Sequence, residues 1–194
     1  MRRGLVGWLV VMVVVLVAAG IGAVVLSRWL ATGTPNEDGE AAAPAAATRK
    51  IKARLFHVSE DGVSLTASER EVVFGEGTVE QARRIVEAQL EAPPPPLVSP
   101  IPAGTRLLAL YLTEGNEAFV DLSAEVRSEH PGGATNEILT VYAIVDALTV
   151  NLPALAGVQI LVDGHEVDTL AGHVDLRRPL ARSNLWIDEG IPSR

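Results

Sequence analysis

Apolar positions fall along this chain in three different rhythms, and each rhythm predicts a different kind of element. From Leu5 to Leu26 the chain carries no charge and no strongly polar side chain over 22 residues, nine of them valine. A helix of that length, at ~1.5 Å per residue, spans about 33 Å, close to the ~30 Å hydrocarbon core of a bilayer. Ile51–Leu55 alternates apolar and polar residues, the period of a half-buried strand, and Glu71–Phe74 is its expected antiparallel partner across Asp61-Gly62. Thr78-Val-Glu-Gln81 has capping-box form, with Thr78 as the N-cap and Gln81 reaching back. In the helix that follows, Val79, Ala82, Ile85, Val86 and Leu90 fall on one face, and Glu80, Arg83, Arg84 and Glu87 on the other.

Pro93–Pro96 stops that helix, because proline lacks an amide donor and drives the preceding residue out of the α region. Strands resume with Leu107–Leu112, whose nearly continuous apolar run predicts a central strand buried on both faces. A turn at Glu114-Gly-Asn116 leads into Ala118–Leu122. A second helix is expected over Thr135–Val150, with Ile138, Val141, Tyr142, Val145 and Leu148 on its buried face. Val158–Val162 is a further strand, and Asp163-Gly164 a tight turn into a strand over Glu166–Leu170. The fold class this predicts is α+β, a two-layer mixed sheet with two helices on one face, preceded by one transmembrane helix. The expected organisation is a transmembrane helix at 5–26, an Ala/Pro/acidic linker at 27–48, a folded domain at 49–180 and a C-terminal tail at 181–194. The tail, which holds Trp186, shows no clear period, and both packing back on the domain and fraying are open to it.

Charge sets the orientation of the span. Arg2, Arg3 and the amino terminus lie on one side and Arg28 alone on the other, so the amino terminus is expected inside and the long C-terminal part exported across the cytoplasmic membrane. A cleaved signal peptide is the competing reading, but its apolar core is typically only about 7–15 residues long. Taking Arg2, Arg3 and Arg28 from the 16 basic residues leaves 13 against 24 acids, so the exported part has a formal charge of −11. That balance argues against nucleic acid as a partner, which needs a clustered basic face. With no cysteine there is neither a lipid-anchoring thiol, nor a disulfide framework, nor a thiolate metal site.

Candidate chemistry is sparse. His165-Glu166 and His173-x-Asp175 are types that ligate zinc, but neighbours on a strand point to opposite faces, and no His-Glu-x-x-His pattern is present. No Gly-x-Ser-x-Gly elbow occurs, and Gly132-Gly133 lacks the lysine of a phosphate loop. Carboxylate pairs for glycoside cleavage are available in any acidic domain, and here they come with few aromatics to seat a sugar. The expectation is a protein without catalytic residues, cofactor or metal.

One constellation is more specific. Gly132, Gly133 and Glu137 open the second helix, Leu148 and Thr149 lie near its end, and Val158-Gln159-x-Leu161-Val162-Asp163-Gly164 follows. This order resembles the GerMN domain of bacterial sporulation, spore-germination and other envelope proteins, over roughly Ile51–Leu180. Ala134 stands where that family usually has serine, which shifts the expected capping hydroxyl to Thr135. The resemblance implies a fold similar to the ring-building motifs of secretion systems, and a non-enzymatic, membrane-tethered protein that joins an envelope assembly. It also implies Gly132, Gly133, Glu137, Leu148, Thr149, Gln159, Asp163 and Gly164 as structural or docking positions. The partners that follow are the membrane through residues 5–26, an unidentified envelope protein, and further copies of the same chain. The alternative is an envelope hydrolase or a module that binds cell-wall glycan.

Overall fold

The computed structural model of the chain describes residues 49–188. The expected span at 5–26, the linker at 27–48 and the last six residues lie outside the described residues. Among the described residues no helix is long and apolar enough to cross a membrane.

The alternation after Arg49 produces β1 (Lys50–Val58), which pairs antiparallel with β2 (Leu65–Val73) from Lys50↔Val73 to Val58↔Leu65. Ala53, Leu55 and Phe56 are buried, and Lys50 and Lys52 reach across to Glu71 and Glu69 at 3.1 and 2.9 Å. Helix α1 (Thr78–Leu90) starts differently from the expected capping box. Gly77, at φ 85°, is the N-cap, and no side chain caps the helix. Gln81 reaches further back, accepting from the Gly75 amide at 3.0 Å. A Cβ on Gly75 would come within 2.5 Å of the Gln81 backbone nitrogen, so this approach needs glycine. Val79, expected on the buried face, is 44% exposed, as the whole segment Glu76–Val79 at the start of the helix is exposed.

β3 (Leu107–Leu112), β4 (Glu117–Leu122), β5 (Gly157–Val162) and β6 (His165–Glu166) form a second sheet in that spatial order. β4 and β5 are parallel and the other pairings antiparallel. The parallel pair requires a crossover, supplied by the short α2 (Glu125–Ser128) and the long α3 (Ala134–Asn151). This crossover lays β5 against β4 and leaves β3 at the edge, so the expectation that Leu107–Leu112 is central is wrong. Tyr111 is 60% and Leu108 45% exposed, while Ala118, Val120, Val158 and Ile160 of the middle strands are buried. The single mixed sheet expected is also divided, into this sheet and the β1–β2 hairpin. The architecture remains α+β. α3 packs on both β1 and β5, and α1 packs on α3, on the hairpin and on β3.

α3 occupies the middle of this arrangement. The expected stripe ran through Ile138 and Tyr142, but these are only half-buried, while Leu139, Ala143, Ile144 and Ala147 are as buried as Val141, Val145 and Leu148. A helix apolar nearly all round is buried nearly all round. The strand expected over Glu166–Leu170 stops after two residues. Beyond it the Leu170 amide is taken by the Glu137 side chain. Leu180, at the end of the expected domain, pairs with Val158, and the tail packs back as far as it is described: Ile187 bridges to Leu65, and Trp186 lies 6.3 Å from Tyr142, ring centre to ring centre.

Candidate functional site

Gly132 and Gly133, at φ 79° and 87°, make the turn that opens α3. Asn136 Nδ2 donates to the Gly132 carbonyl at 2.8 Å, and the Gly132 amide donates to His130 Nδ1 at 3.0 Å. Ala134 is the first helical residue and no side chain caps the helix, so Thr135 does not take over the capping expected of it. One turn on, Glu137 is fully buried. Its Oε1 accepts from the Leu170 amide at 2.8 Å, and its Oε2 accepts from the His173 amide at 2.8 Å and lies 3.2 Å from His173 Nδ1. Burial alone would raise its pKa, but the amides of Ala171, His173, Leu170 and Val174 converge on it and hold it below the usual glutamate value. Glu137 thus acts as an anion around which the loop after β6 is wound.

The other motif positions lie in different places. Leu148 is buried, and the Thr149 hydroxyl donates to the Val145 carbonyl at 2.8 Å, one turn back on α3. Gln159 is buried on β5 opposite Phe119, its Nε2 without a partner among the described residues. Asp163 (φ 49°) and Gly164 (φ 76°) form a two-residue hairpin turn of the type whose central residues both have positive φ. The Gly164 amide donates to Asp121 Oδ1 at 2.7 Å, fixing the turn to β4. These residues do not converge on one cleft. They bind a loop to the start of α3, α3 to its own turns, and the β5–β6 turn to β4.

The four histidines are likewise engaged locally. His165 Nδ1 lies 2.6 Å from the Asp163 carbonyl, and His130 Nε2 lies 3.2 Å from Thr140 Oγ1. Among the described residues no three His, Asp or Glu side chains are grouped as a metal set. His57 Nε2 is 2.9 Å from Ser68 Oγ beside a groove of about 370 Å³ that includes Arg70 and Pro94, a pair brought together across the hairpin with no local motif to mark it. Burial, and then the charge of Arg70, lower the His57 pKa, and its Nδ1 is buried without a partner. In a Ser-His-Asp triad a carboxylate holds that nitrogen, and no such acceptor lies on it among the described residues.

Strand edges are treated unequally. On the outer edge of β1, Asn151 accepts from the Arg54 amide and donates to the Arg54 carbonyl, both at 2.8 Å. Gln89 does the same at Phe56, at 2.9 and 2.7 Å, and the Val58 amide donates to Val98. Three successive outward positions are therefore closed by two side-chain amides and one backbone group. β5 is closed by β6 and by Leu180, which exchanges bonds of 2.9 and 2.8 Å with Val158. The outer edge of β2 meets the tail at Leu65 and beyond it carries Glu69, Arg70 and Glu71, charges that oppose strand addition. β3 has no charge in its length and no described backbone partner on its outer side. The sequence signal for this edge was Tyr111, a polar-tipped ring within the apolar run, between Arg106 and Glu114.

The match to a family profile spans residues 54–168, and the family is Germane, described as sporulation and spore germination. No curated protein matches the chain. Among solved structures, a candidate lipoprotein from Clostridium perfringens is similar at TM-score 0.50 and 24% identity, over 68% of this chain and 87% of that one. The first GerMN domain of the sporulation protein GerM from Bacillus subtilis is similar at 0.52 and 15%, over 68% and 97%. The tandem GerMN domains of the same protein match at 0.50 and 16%, over 69% of this chain and 45% of that one. At such identities these likenesses speak to the fold. The profile covers more than half of the 194 residues, and on that ground the chain belongs to the Germane family of sporulation and spore germination.

Proposed function

We propose that this protein is a non-enzymatic, membrane-tethered envelope protein whose Germane domain lies outside the cytoplasmic membrane and joins a protein assembly of the sporulation, germination or general envelope type. The observation that carries the reading is the outer edge of β3, uncharged over six residues and with Leu108 and Tyr111 exposed. Proteins ordinarily blunt such an edge with charge, proline or cover, and an open apolar edge is a template for another strand. The apolar run Leu5–Leu26 supplies the tether, and Arg2 and Arg3 its direction. The motif residues serve this function by rigidity: Glu137, the Gly132–Gly133 turn and the Asp163–Gly164 turn fix the loops around α3, against which the β3–β6 sheet is built.

The test is cross-linking of the full-length protein in intact cells, with the cross-linked species identified by mass spectrometry. Recovery of one envelope protein, or of a defined oligomer, through residues of β3 supports the reading. Binding of the protein to purified cell-wall glycan, with no protein cross-linked through β3, would replace it with the glycan-binding alternative.

A further inference from the structure

We infer that the partner of the β3 edge is the β3 edge of a second copy of this chain, paired antiparallel about a two-fold axis at Leu110. The inference rests on the proposed reading of the domain as an assembly module and supplies its partner. The ladder sets which groups are available. The Thr113 amide donates to Glu117, so in the antiparallel alternation Thr113, Tyr111 and Ala109 bond to β4, and the backbone groups of Leu110 and Leu112 face away from it. No described residue bonds them. Two such edges related by a two-fold axis form an isologous interface, in which each contact occurs twice.

Chemistry selects the register. With Leu110 on the axis, Ala109 of one copy faces Tyr111 of the other, a small side chain against a large exposed one. Any antiparallel pairing also brings the Arg106 end of each copy towards the Glu114 end of the other, opposite charges just beyond the two ends of the ladder. Arg106 is 71% exposed and has only a long contact of 3.8 Å to Glu125, and Glu114 is exposed. Moving the axis by one residue to Tyr111 sets the two exposed Tyr111 rings against each other and loses the small-against-large match with Ala109. The irregularity between Leu107 and Ala109 limits the regular ladder to Ala109–Leu112, so the pairing is short and the terminal charges carry much of its specificity. The other outer edges contrast with this one, closed by Asn151, Gln89, Leu180 and β6 or guarded by charge.

The absence of native cysteine makes the register directly testable. Full-length chains carrying A109C and Y111C, with different tags, are expressed together and alone, and membranes are oxidised with copper–phenanthroline. Facing residues of an antiparallel pair are about 4.5–5.5 Å apart at Cα, within disulfide reach, whereas like positions in this register are two residues out of step. The expected result is a cross-linked dimer from the pair and at least about fivefold less from either variant alone, the like positions lying beyond disulfide geometry. R106E is expected to lower the yield by on the order of tenfold, since two exposed pairs turn from attraction to repulsion, and R106E/E114R to restore it. Circular dichroism and sedimentation of each variant confirm that it is folded. Equal yields in all three cultures, no yield in the mixture, or a yield indifferent to R106E would overturn the proposal. If the pairing fails while cross-linking in cells still recovers an envelope protein through β3, only the identity of the partner falls. If both fail, the assembly reading falls as well.

Discussion

Replacing Glu137 by glutamine keeps the shape of the side chain and removes its charge, which isolates what the anion contributes. Both carboxylate oxygens now accept, from Leu170 on one side and His173 on the other. In E137Q one oxygen becomes an NH2 group, so whichever way the amide is turned, one backbone donor meets another donor inside the protein. An unsatisfied buried donor costs about 1–3 kcal/mol, and the bond that survives is weakened by loss of charge assistance. Relief of the buried charge offsets part of this, leaving a net loss of roughly 2 kcal/mol. The assay is hydrogen exchange of the Leu170 and His173 amides in the full chain. Two kcal/mol of local destabilisation corresponds to about 30-fold faster exchange, and amides of the β4–β5 ladder serve as the internal control. The pH dependence gives a second reading. The native pKa of Glu137 is depressed, so its contribution is complete above the ordinary glutamate value of 4.5 and is lost as pH falls through the native one. Protection in the wild type should therefore collapse in acid, and E137Q should lack that step. Unchanged exchange at these two amides, or an equal acid step in the variant, would refute the argument.

Three further outcomes are expected. Asp146 is fully buried, its Oδ1 accepts from the Ser183 amide at 3.1 Å, and burial lifts its pKa from 3.8 to about 6, against the lowering effects of that amide and of Arg182. Between those values the native state holds a proton that the unfolded chain has released, so stability falls as pH rises through the window, by about 3 kcal/mol in all; urea titrations of D146N should be flatter over this range and show a gain at pH 7.5 that vanishes at pH 4. Q89A removes both bonds at Phe56 and leaves a buried amide and carbonyl open, so its midpoint in thermal denaturation should fall by an amount equivalent to about 2–4 kcal/mol. In G75A the new Cβ meets backbone at 2.5 Å, not a movable side-chain tip, and a loss of about 1–3 kcal/mol by urea unfolding is expected; a variant as stable as wild type would show that the start of α1 can shift freely.

The elements with strong periods were legible in the sequence: β1, the two long helices, β5 and the Asp163–Gly164 turn. What was illegible depended on distant segments. An apolar run such as Leu107–Leu112 reads the same at the centre of a sheet as at its edge, because the side chains record burial while the crossover through α3 decides which neighbour arrives. Capping was misread at both helices, since glycines with positive φ took the N-cap position and the polar side chains reached past it. Glu137 was marked by its place in a motif, but its bonds lie 33 and 36 residues away, a separation no local pattern encodes. Asp146 was passed over within an apolar helix, where an interrupted period was the available signal. Gln89 stands in neither the apolar nor the charged set of its helix, and the β1 edge it closes is 33 residues away.

The side-chain amides that close β1 also set a schedule for folding. β1 and β2 are joined by six residues and can pair as soon as Val73 has been made, since short loops close on the microsecond scale of hairpins. Their outer edge is closed only later, by Gln89 at 33 residues from Phe56 and by Asn151 at 97 residues from Arg54. At synthesis rates of about 5–20 residues per second, several seconds separate the hairpin from its last seal. For that interval a nascent chain presents a nine-residue strand with an open edge, along which Lys50, Lys52 and Arg54 set charge that disfavours a second strand, the two lysines paired to Glu71 and Glu69 within the hairpin. Neutralising those three charges should leave the finished fold nearly as stable and yet lower its yield, a defect of assembly order that no inspection of the final contacts would reveal.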